Sequence, residues 1–417
     1  MNRKSRLEGK LVEALSSSPL TRILVLTGAR QVGKTTLLRH LFPHYSYINM
    51  DEPLLRKEVT AMSSAQWLAA YDHVIVDEVQ KCPEVVEMIK AANDMGHEQR
   101  YILTGSSQLM LLKNVKESLA GRCIIEELYP LTLPELMTTS WEDKVAYSHF
   151  QHIILGQNIP NFIPFRFQKN FSPIMEVYDF YLQFGGYPAL VAKGLSANDK
   201  RKWLKNYIKT YLERDIRDLA DFKNLEPFTS LKRATAISTG HLINYSSLAR
   251  QVGVTPSTAQ RFLHYLSMSY QVLILQPWHK NELKRLSKMP KVHYLDPGIQ
   301  RVVVGNVNPH LSGSEFESAI VAEMYKQLQY LQLDTHIYHL RTNDGREVDV
   351  LIETPQGYYA FEIKMTANYN HTDNRHLRNL DEILDKPLLH SFVITQDTIP
   401  NQKEKNITAI HAAQFLT

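Results

Sequence analysis

Residues 28–35 read Gly-Ala-Arg-Gln-Val-Gly-Lys-Thr and directly follow the apolar run Ile23-Leu24-Val25-Leu26. A buried strand that breaks into a glycine-bounded loop and then Lys-Thr predicts one local structure, a strand–loop–helix phosphate cradle. In that cradle the backbone of Gly28, Ala29, Arg30, Gln31, Val32 and Gly33 and the first turn at Lys34, Thr35 and Thr36 surround a polyphosphate. Backbone N–H groups and the helix N-terminus offer partial positive charge to phosphate oxygens. Lys34 adds a full charge at the outer phosphates, and the Thr35 hydroxyl suits a Mg²⁺ ligand. Gly28 and Gly33 are expected to let the backbone approach the ligand closely. The competing reading, a glycine turn that binds nothing, is weakened by the signals that follow.

A chain of 417 residues exceeds one ordinary core, so two to four domains are expected. Its apolar runs are strand-sized, which argues against a membrane span. The opening Met-Asn-Arg-Lys-Ser-Arg is charged and lacks the apolar stretch of a secretory signal. Cys82 and Cys123 have neither disulfide-framework nor metal spacing, so a reducing cytoplasm is the expected location. The net charge of +4 is a weak pointer to nucleic acid. Two local runs say more: Lys280, Lys284, Arg285, Lys288 and Lys291, and Arg201, Lys202, Lys205, Lys209, Arg214 and Arg217. Each serves equally well as a solvated face.

About forty residues after the loop, His73-Val74-Ile75-Val76 predicts a second buried strand, ending in Asp77-Glu78. After a phosphate loop, the first acid at such a tip holds the Mg²⁺ shell and the second polarises the attacking water. Tyr101-Ile102-Leu103-Thr104 then runs into Gly105-Ser106-Ser107, and Thr104 or Ser106 is the candidate γ-phosphate sensor. Arg122 is a candidate phosphate contact in this or a neighbouring subunit, or a plain surface arginine. Strands alternating with helical segments predict a parallel sheet covered on both faces.

In the middle, 141–173 is irregular and aromatic and says little about function, and Phe184-Gly185-Gly186-Tyr187-Pro188 reads as a turn. Residues 245–278 are sharper. A short helix, a turn at Gly253 and a second helix opened by Thr255-Pro256 form helix–turn–helix grammar. Ala259, Phe262, Leu263 and Leu266 form one apolar stripe, and Ser257, Arg261, His264 and Tyr265 lie opposite. A strand at 272–275 and the basic run beyond it suggest a wing. Ser257 and Arg261 would enter a DNA groove, with Lys284 and Arg285 on phosphates. A protein-binding or spacer role is the alternative.

In the last third, Glu347–Glu353 and Tyr358–Lys364 both alternate around the turn Thr354-Pro355-Gln356-Gly357. Pairing Glu353 with Tyr358 puts Asp349 across from Glu362 and gathers the apolar residues on the other face. Two opposed carboxylates repel unless a divalent cation or Lys364 intervenes. Two acids and a lysine are the kit of metal-dependent phosphodiester cleavage. Glu317 sits within the apolar stripe of the preceding helix and is aimed at this sheet, with Glu323 in reserve. The alternative is a metal-free sheet neutralised by Lys364 and Arg341.

Together these segments resemble a family of prokaryotic AAA-type P-loop ATPases carrying a C-terminal domain of unknown function. The matching pieces are the phosphate loop through Thr36, Val-Asp-Glu-Val-Gln at 76–80, Leu-Thr-Gly-Ser-Ser at 103–107 and Leu-Ala-Gly-Arg at 119–122. Gly-Gly-Tyr-Pro at 185–188, Tyr-Leu-Glu-Arg-Asp-Ile at 211–216, Lys-Val-His-Tyr-Leu-Asp-Pro-Gly at 291–298 and Glu-Val-Asp-Val-Leu-Ile at 347–352 complete the set. The resemblance implies an α/β fold: a P-loop NTPase parallel sheet, then a helical and winged-helix region, then an α/β restriction-endonuclease-like domain. In the PD-(D/E)xK signature of such nucleases Asp349, Glu362 and Lys364 match, with Glu317 as the helical acid.

The expected domains are 1–135 (ATPase), 136–220 (helical connector or lid), 221–305 (winged helix-turn-helix) and 306–417 (nuclease-like). The first functional expectation is ATP hydrolysis with Mg²⁺, coupled to a DNA-binding and candidate DNA-cleaving C-terminal half holding a second Mg²⁺ or Mn²⁺. The second is a slow nucleotide-gated switch whose nuclease-like domain is inactive and binds protein. A small-molecule kinase ranks third. DNA and a second copy of the chain are the expected partners, and a membrane is not.

Overall fold

Five short strands build the first sheet, the three central ones apolar on both sides and the two edge strands only partly buried. They are β1 (Ile23–Thr27), β2 (Ser46–Asn49), β3 (His73–Asp77), β4 (Arg100–Thr104) and β5 (Cys123–Glu127). Ile23 and Val25 enter one core with Trp67 and Ile89, while Leu24 and Leu26 enter another with Leu37 and Leu38. Successive side chains point to opposite faces, so an unbroken apolar run means both faces are covered. The strand order is β2-β3-β4-β1-β5, and every pairing is parallel. All five therefore end on one edge, the edge at which open α/β sheets bind ligands. This computed structural model describes residues 11–13, 15, 22–95, 98–105, 118–212, 225–285, 288–306, 308, 310–342 and 344–417.

Helix α1 (Lys34–Leu41) follows β1 directly, and α2 (Pro83–Asp94) follows β3. Farther on come α3 (Phe171–Phe184), α4 (Ala197–Tyr207) and α5 (Glu226–Ile237). The pair α6 (Tyr245–Val252) and α7 (Pro256–Met268) is joined at Gly253, whose φ of 70° ends α6 in the left-handed region that favours glycine. Thr255 caps α7 by accepting from the Thr258 N–H at 3.2 Å. Ala259, Phe262, Leu263 and Leu266 are buried, as their spacing requires. An antiparallel hairpin of β6 (Val272–Leu275) and β7 (Lys291–Tyr294) follows, then α8 (Pro297–Val304).

The C-terminal sheet is mixed, in the order β12-β13-β11-β10-β9-β8. Its strands are β8 (His336–Arg341), β9 (Glu347–Thr354), β10 (Gly357–Ile363), β11 (Leu388–Thr395), β12 (Asn401–Glu404) and β13 (Ile407–His411). Helix α9 (Gly313–Gln329) opens with a Ser312/Glu315 capping box and lays Phe316, Ile320, Met324 and Leu328 onto the sheet. The β9–β10 register runs from Tyr358↔Glu353 to Phe361↔Val350, the pairing that the alternation implies.

The connecting region divides between two neighbours. Phe150 meets Phe361 edge-on at 5.9 Å, the Tyr359 hydroxyl donates to the Ile153 carbonyl, and Tyr178 and Tyr181 join the same core. The buried residues of 150–182 thus pack with the C-terminal sheet. Among the described residues no helix is long and apolar enough to cross a membrane.

Candidate functional site

The loop between β1 and α1 lines a cavity of about 440 Å³ together with Asp77 and Glu78 at the end of β3. The Thr35 hydroxyl donates to Asp77 Oδ2 at 2.7 Å, and the Tyr47 hydroxyl donates to the same oxygen at 2.7 Å. The other Asp77 oxygen accepts the Glu78 N–H at 2.9 Å. A hydroxyl touching a carboxylate at a strand tip is an oxygen pair suited to a Mg²⁺ shell that keeps waters and phosphate oxygens as its remaining ligands. Lys34 Nζ donates to the Gly28 and Ala29 carbonyls at 2.8 and 2.9 Å, folded over its own loop. Glu78 adopts φ 52°, ψ 40°, left-handed geometry that is unfavourable for a non-glycine residue, and Gln80 donates to its carboxylate. Arg30, Gln31, Val32, Gly33 and Thr36 also line the cavity.

Two expectations need amendment here. Gly28 (φ 142°) also makes room for protein: a Cβ there would lie 2.2 Å from the Leu128 carbonyl oxygen. The Leu128 N–H also donates to the Thr27 carbonyl at 2.9 Å, so β5 exits hard against the loop. Second, the aromatic segment is informative at its start. Trp141 lines the cavity and stacks on His40 of α1, with ring centroids 4.2 Å apart and 17° between planes. Leu128, Leu131, Pro188 and Ala189 supply further apolar lining. Apart from Pro188 of the Gly-Gly-Tyr-Pro motif, none of these residues stands out by local pattern, because long-range packing brings them to the loop.

Two further candidates, Thr104 and Arg122, lie outside the cavity lining. Thr104 ends β4 beside Leu26, fully buried, with its hydroxyl unpartnered among the described residues, and it does not line the cavity. Ser106 lies outside the described residues. Arg122 grips Asp94 through two nitrogens at 2.7 and 3.2 Å and is likewise not part of the lining. Asp94 holds the Arg122 guanidinium above its ordinary pKa by hydrogen bonding and charge.

Two of the sequence motifs meet at this site. The Gly186 N–H donates to Asp296 Oδ2 at 2.8 Å, and the Leu131 N–H donates to the Gly186 carbonyl at 2.8 Å. A Cβ on Gly185 would collide with the Asp296 carboxylate, and one on Gly298 with the Phe184 carbonyl. Gly-Gly-Tyr-Pro and Asp-Pro-Gly therefore interlock through backbone, and Pro188 of the first motif reaches the cavity. A cluster of tyrosines adds a second bridge. The Tyr270 hydroxyl lies 2.7 Å from Thr27 Oγ1 and donates to Glu127 at 3.1 Å, while Tyr129 packs edge-on against Tyr270, Tyr325 and Tyr330.

The acids of the C-terminal sheet also come together, around a cation that the charge pattern assigns elsewhere. That pattern sets Lys291 among the wing's basic residues, yet it is only 2 % exposed. Its Nζ lies 2.7 Å from Glu347, 3.0 Å from Glu317 and 3.2 Å from Asp349. The other Asp349 oxygen accepts the Ile363 N–H at 2.9 Å, and Lys364 pairs with Glu362 at 2.6 Å. Burial works against the Lys291 charge but is outweighed by Asp349, Glu317 and Glu347, so the ammonium persists. Burial first, then the Asp349 charge, pushes both the Glu317 and Glu362 carboxyls up.

A lysine of the preceding hairpin thus sits among Asp349, Glu317 and Glu347, while Glu362 pairs with Lys364. Among the described residues no group of three or more His, Cys, Asp or Glu is arranged to hold a metal ion. Lys291 joins Lys364 as a direct partner of these acids, while Arg341, exposed on β8 opposite Glu347, acts on Glu347 through charge with no direct ion pair among the described residues. Glu323, the reserve acid, is wholly buried elsewhere, pairing with Lys326 at 2.8 Å and accepting the Leu133 N–H at 2.7 Å.

On α7, Ser257, Arg261 and His264 are exposed, and Tyr265 is half-buried. The hairpin's basic residues are less free than the wing reading requires. Arg285 donates to the His279 carbonyl at 2.7 Å and to the Tyr338 hydroxyl at 3.0 Å, with its guanidinium over the Tyr338 ring. It ties the hairpin to β8. Lys284 lies on the short helix Glu282–Arg285, and its side chain is outside the described residues.

Comparison with known proteins fits this division of the chain. Residues 20–137 match the model of an AAA domain, 175–309 a domain of unknown function, and 312–415 another domain of unknown function. The N-terminal part is thus similar to AAA-type P-loop ATPase domains, and two domains of unknown function follow it. An uncharacterized protein of Mycobacterium tuberculosis is 28 % identical over 375 residues, covering 86 % of this chain and 73 % of that one. An uncharacterized protein of Methanocaldococcus jannaschii is 22 % identical over 270 residues, 61 % of this chain and 56 % of its own. A Walker-type ATPase of Pyrococcus abyssi aligns with a TM-score of 0.48 at 15 % identity, covering 73 % of this chain and 96 % of that one.

Proposed function

We propose that this protein binds and hydrolyses ATP at the β1–α1 loop, and that its C-terminal domain responds to the nucleotide without cleaving DNA. The observation that carries the first half is the Thr35–Asp77 contact of 2.7 Å at the rim of a 440 Å³ cavity. Lys34 leaves its loop carbonyls to meet the β- and γ-phosphates, and the loop N–H groups hold the remaining oxygens. Thr35 and Asp77 hold Mg²⁺, which when bound offsets phosphate charge. Glu78 orients the attacking water and accepts its proton. The test is paired: Glu78→Gln should keep ATP binding and lose turnover, while Lys34→Ala should lose both. Equal turnover in wild type and Glu78→Gln would contradict the assignment.

The second half rests on Lys291. With its ammonium among Glu317, Glu347 and Asp349, and with the Glu317 carboxyl pushed up by burial and the Asp349 charge, part of the negative charge there is already offset without a divalent cation. This favours the nucleotide-gated switch over the nuclease. Mn²⁺-dependent nicking of plasmid that disappears in Asp349→Ala would overturn it. Contact of α7 with DNA through Ser257 and Arg261 is a second reading, favoured by their exposure. It predicts that Arg261→Ala weakens duplex binding.

A further inference from the structure

Helix α4 carries Arg201 and Lys205 one turn apart, and the chain continues through Ile208–Leu212 with Lys209 a turn beyond. Residues at this spacing share a face about 5–6 Å apart. Two adjoining hollows run beneath that line, and both include Lys205 and Val302. The first is completed by Arg301 of α8, the second by Thr229 and Arg233 of α5. Among the described residues no acidic side chain lines either one. Among the described residues, Arg201, Lys205, Lys209 and Arg233 take part in no ion pair.

A solvated charged face normally keeps its cations in water. Arg301 departs from that: it is 5 % exposed, its Nη2 donates to the Asn308 carbonyl, and its Nη1 is buried without a partner among the described residues. Glu315, the acid acting on it, is already engaged by the Asn306 side chain and the Ser312 N–H. A buried guanidinium nitrogen without an acceptor is costly unless a ligand supplies one.

We propose that these hollows form a nucleic-acid phosphate site, with the backbone lying along Arg201, Lys205 and Lys209 and one phosphate seated on Arg301. The linear repeat of cations fits a polyanion better than a single phosphate. No exposed large hydrophobic residue belongs to the lining, which sets the surface apart from a membrane-binding face. The site is separate from Ser257 and Arg261 and does not depend on the ATPase assignment.

The experiment is fluorescence anisotropy of a labelled 40-nucleotide single strand and a 30-bp duplex across a salt series, using the full chain. The variant Lys205→Ala/Lys209→Ala/Arg233→Ala changes exposed residues, so its melting temperature and ATP turnover should stay at the wild-type level. It should bind at least about tenfold more weakly at low salt, with a salt slope shallower by about 2–3, near 0.9 for each phosphate that is no longer neutralised. Ser257→Ala/Arg261→Ala should retain the wild-type slope. Competition by millimolar inorganic phosphate as effective as competition by unlabelled DNA would point to a single-anion site and overturn the proposal. So would wild-type affinity in the triple variant, or binding to anionic phosphatidylserine vesicles without binding to DNA.

Discussion

The protein gathers acids at two strand ends, and the two gatherings differ in what supplies the cation. At β3, Asp77 meets only the Thr35 and Tyr47 hydroxyls and a backbone N–H, beside an open cavity. At β9, Asp349 meets the Lys291 ammonium and a backbone N–H, with Glu317 and Glu347 on the same nitrogen. Hydroxyls and N–H groups leave room for a dissociable cation, whereas a buried ammonium is a permanent one. In the function proposed above, the first site serves turnover and the second holds two domains in register. An acid pair across a hairpin is therefore poor evidence for a metal until the whole surrounding shell is known.

The sharpest way to break this contrast is to remove each site's lysine. Lys34→Ala should lower ATP turnover by roughly 10²-fold or more, the scale of losing a charge that stabilises the transition state, with little change in melting temperature. Lys291→Met should do the reverse. Removing one partner of a buried ion cluster costs about 3–5 kcal/mol, so chemical denaturation should show a large loss of stability. Full turnover in folded Lys291→Met would sharpen the contrast, whereas unchanged stability would break it.

A pH series probes the same difference more gently. The Glu317 and Glu362 carboxyls are each pushed from 4.5 up to about 8 by burial and the Asp349 charge. A carboxyl whose pKa is raised in the fold binds its proton more tightly there than in the unfolded chain. Its contribution is complete below 4.5 and is lost as the pH rises to about 8. Stability should therefore decline over that interval, and Glu362→Gln should flatten the decline in thermal melts. The smallest effect is expected at Trp141. If it backs the nucleotide as part of the cavity wall, Trp141→Ala should raise the KM for ATP about 2- to 10-fold, from about 0.5–1.5 kcal/mol of ring packing. The kcat should remain near wild type, and a change confined to kcat would count against this role.

Local order carries much of this structure in legible form. The phosphate loop, the strand ending at Asp77, the stripe of α7 and the β9–β10 register all depend on neighbours in the chain or on one tight turn. Lys291 is opaque in the sequence because its charge run looks like a solvated wing; only the pairing of β6 with β7 and the packing of α9 carry it to Glu317. Gly28 is only partly legible for a related reason, since the backbone it admits includes that of Leu128, far along the chain. Trp141 sits in a stretch without periodicity, so no pattern announces its stack on His40. Arg285, which reads as a phosphate-binding cation, is held by Tyr338 from a different domain.

The most direct measurement is a Mn²⁺ titration of the full chain followed by electron paramagnetic resonance, with and without ATP. The account predicts one tightly bound Mn²⁺ per chain that requires ATP and vanishes in Asp77→Ala, and none bound without nucleotide. A Mn²⁺ bound in the absence of ATP and lost in Asp349→Ala would contradict it, because Lys291 would then not be the resident cation of the C-terminal sheet.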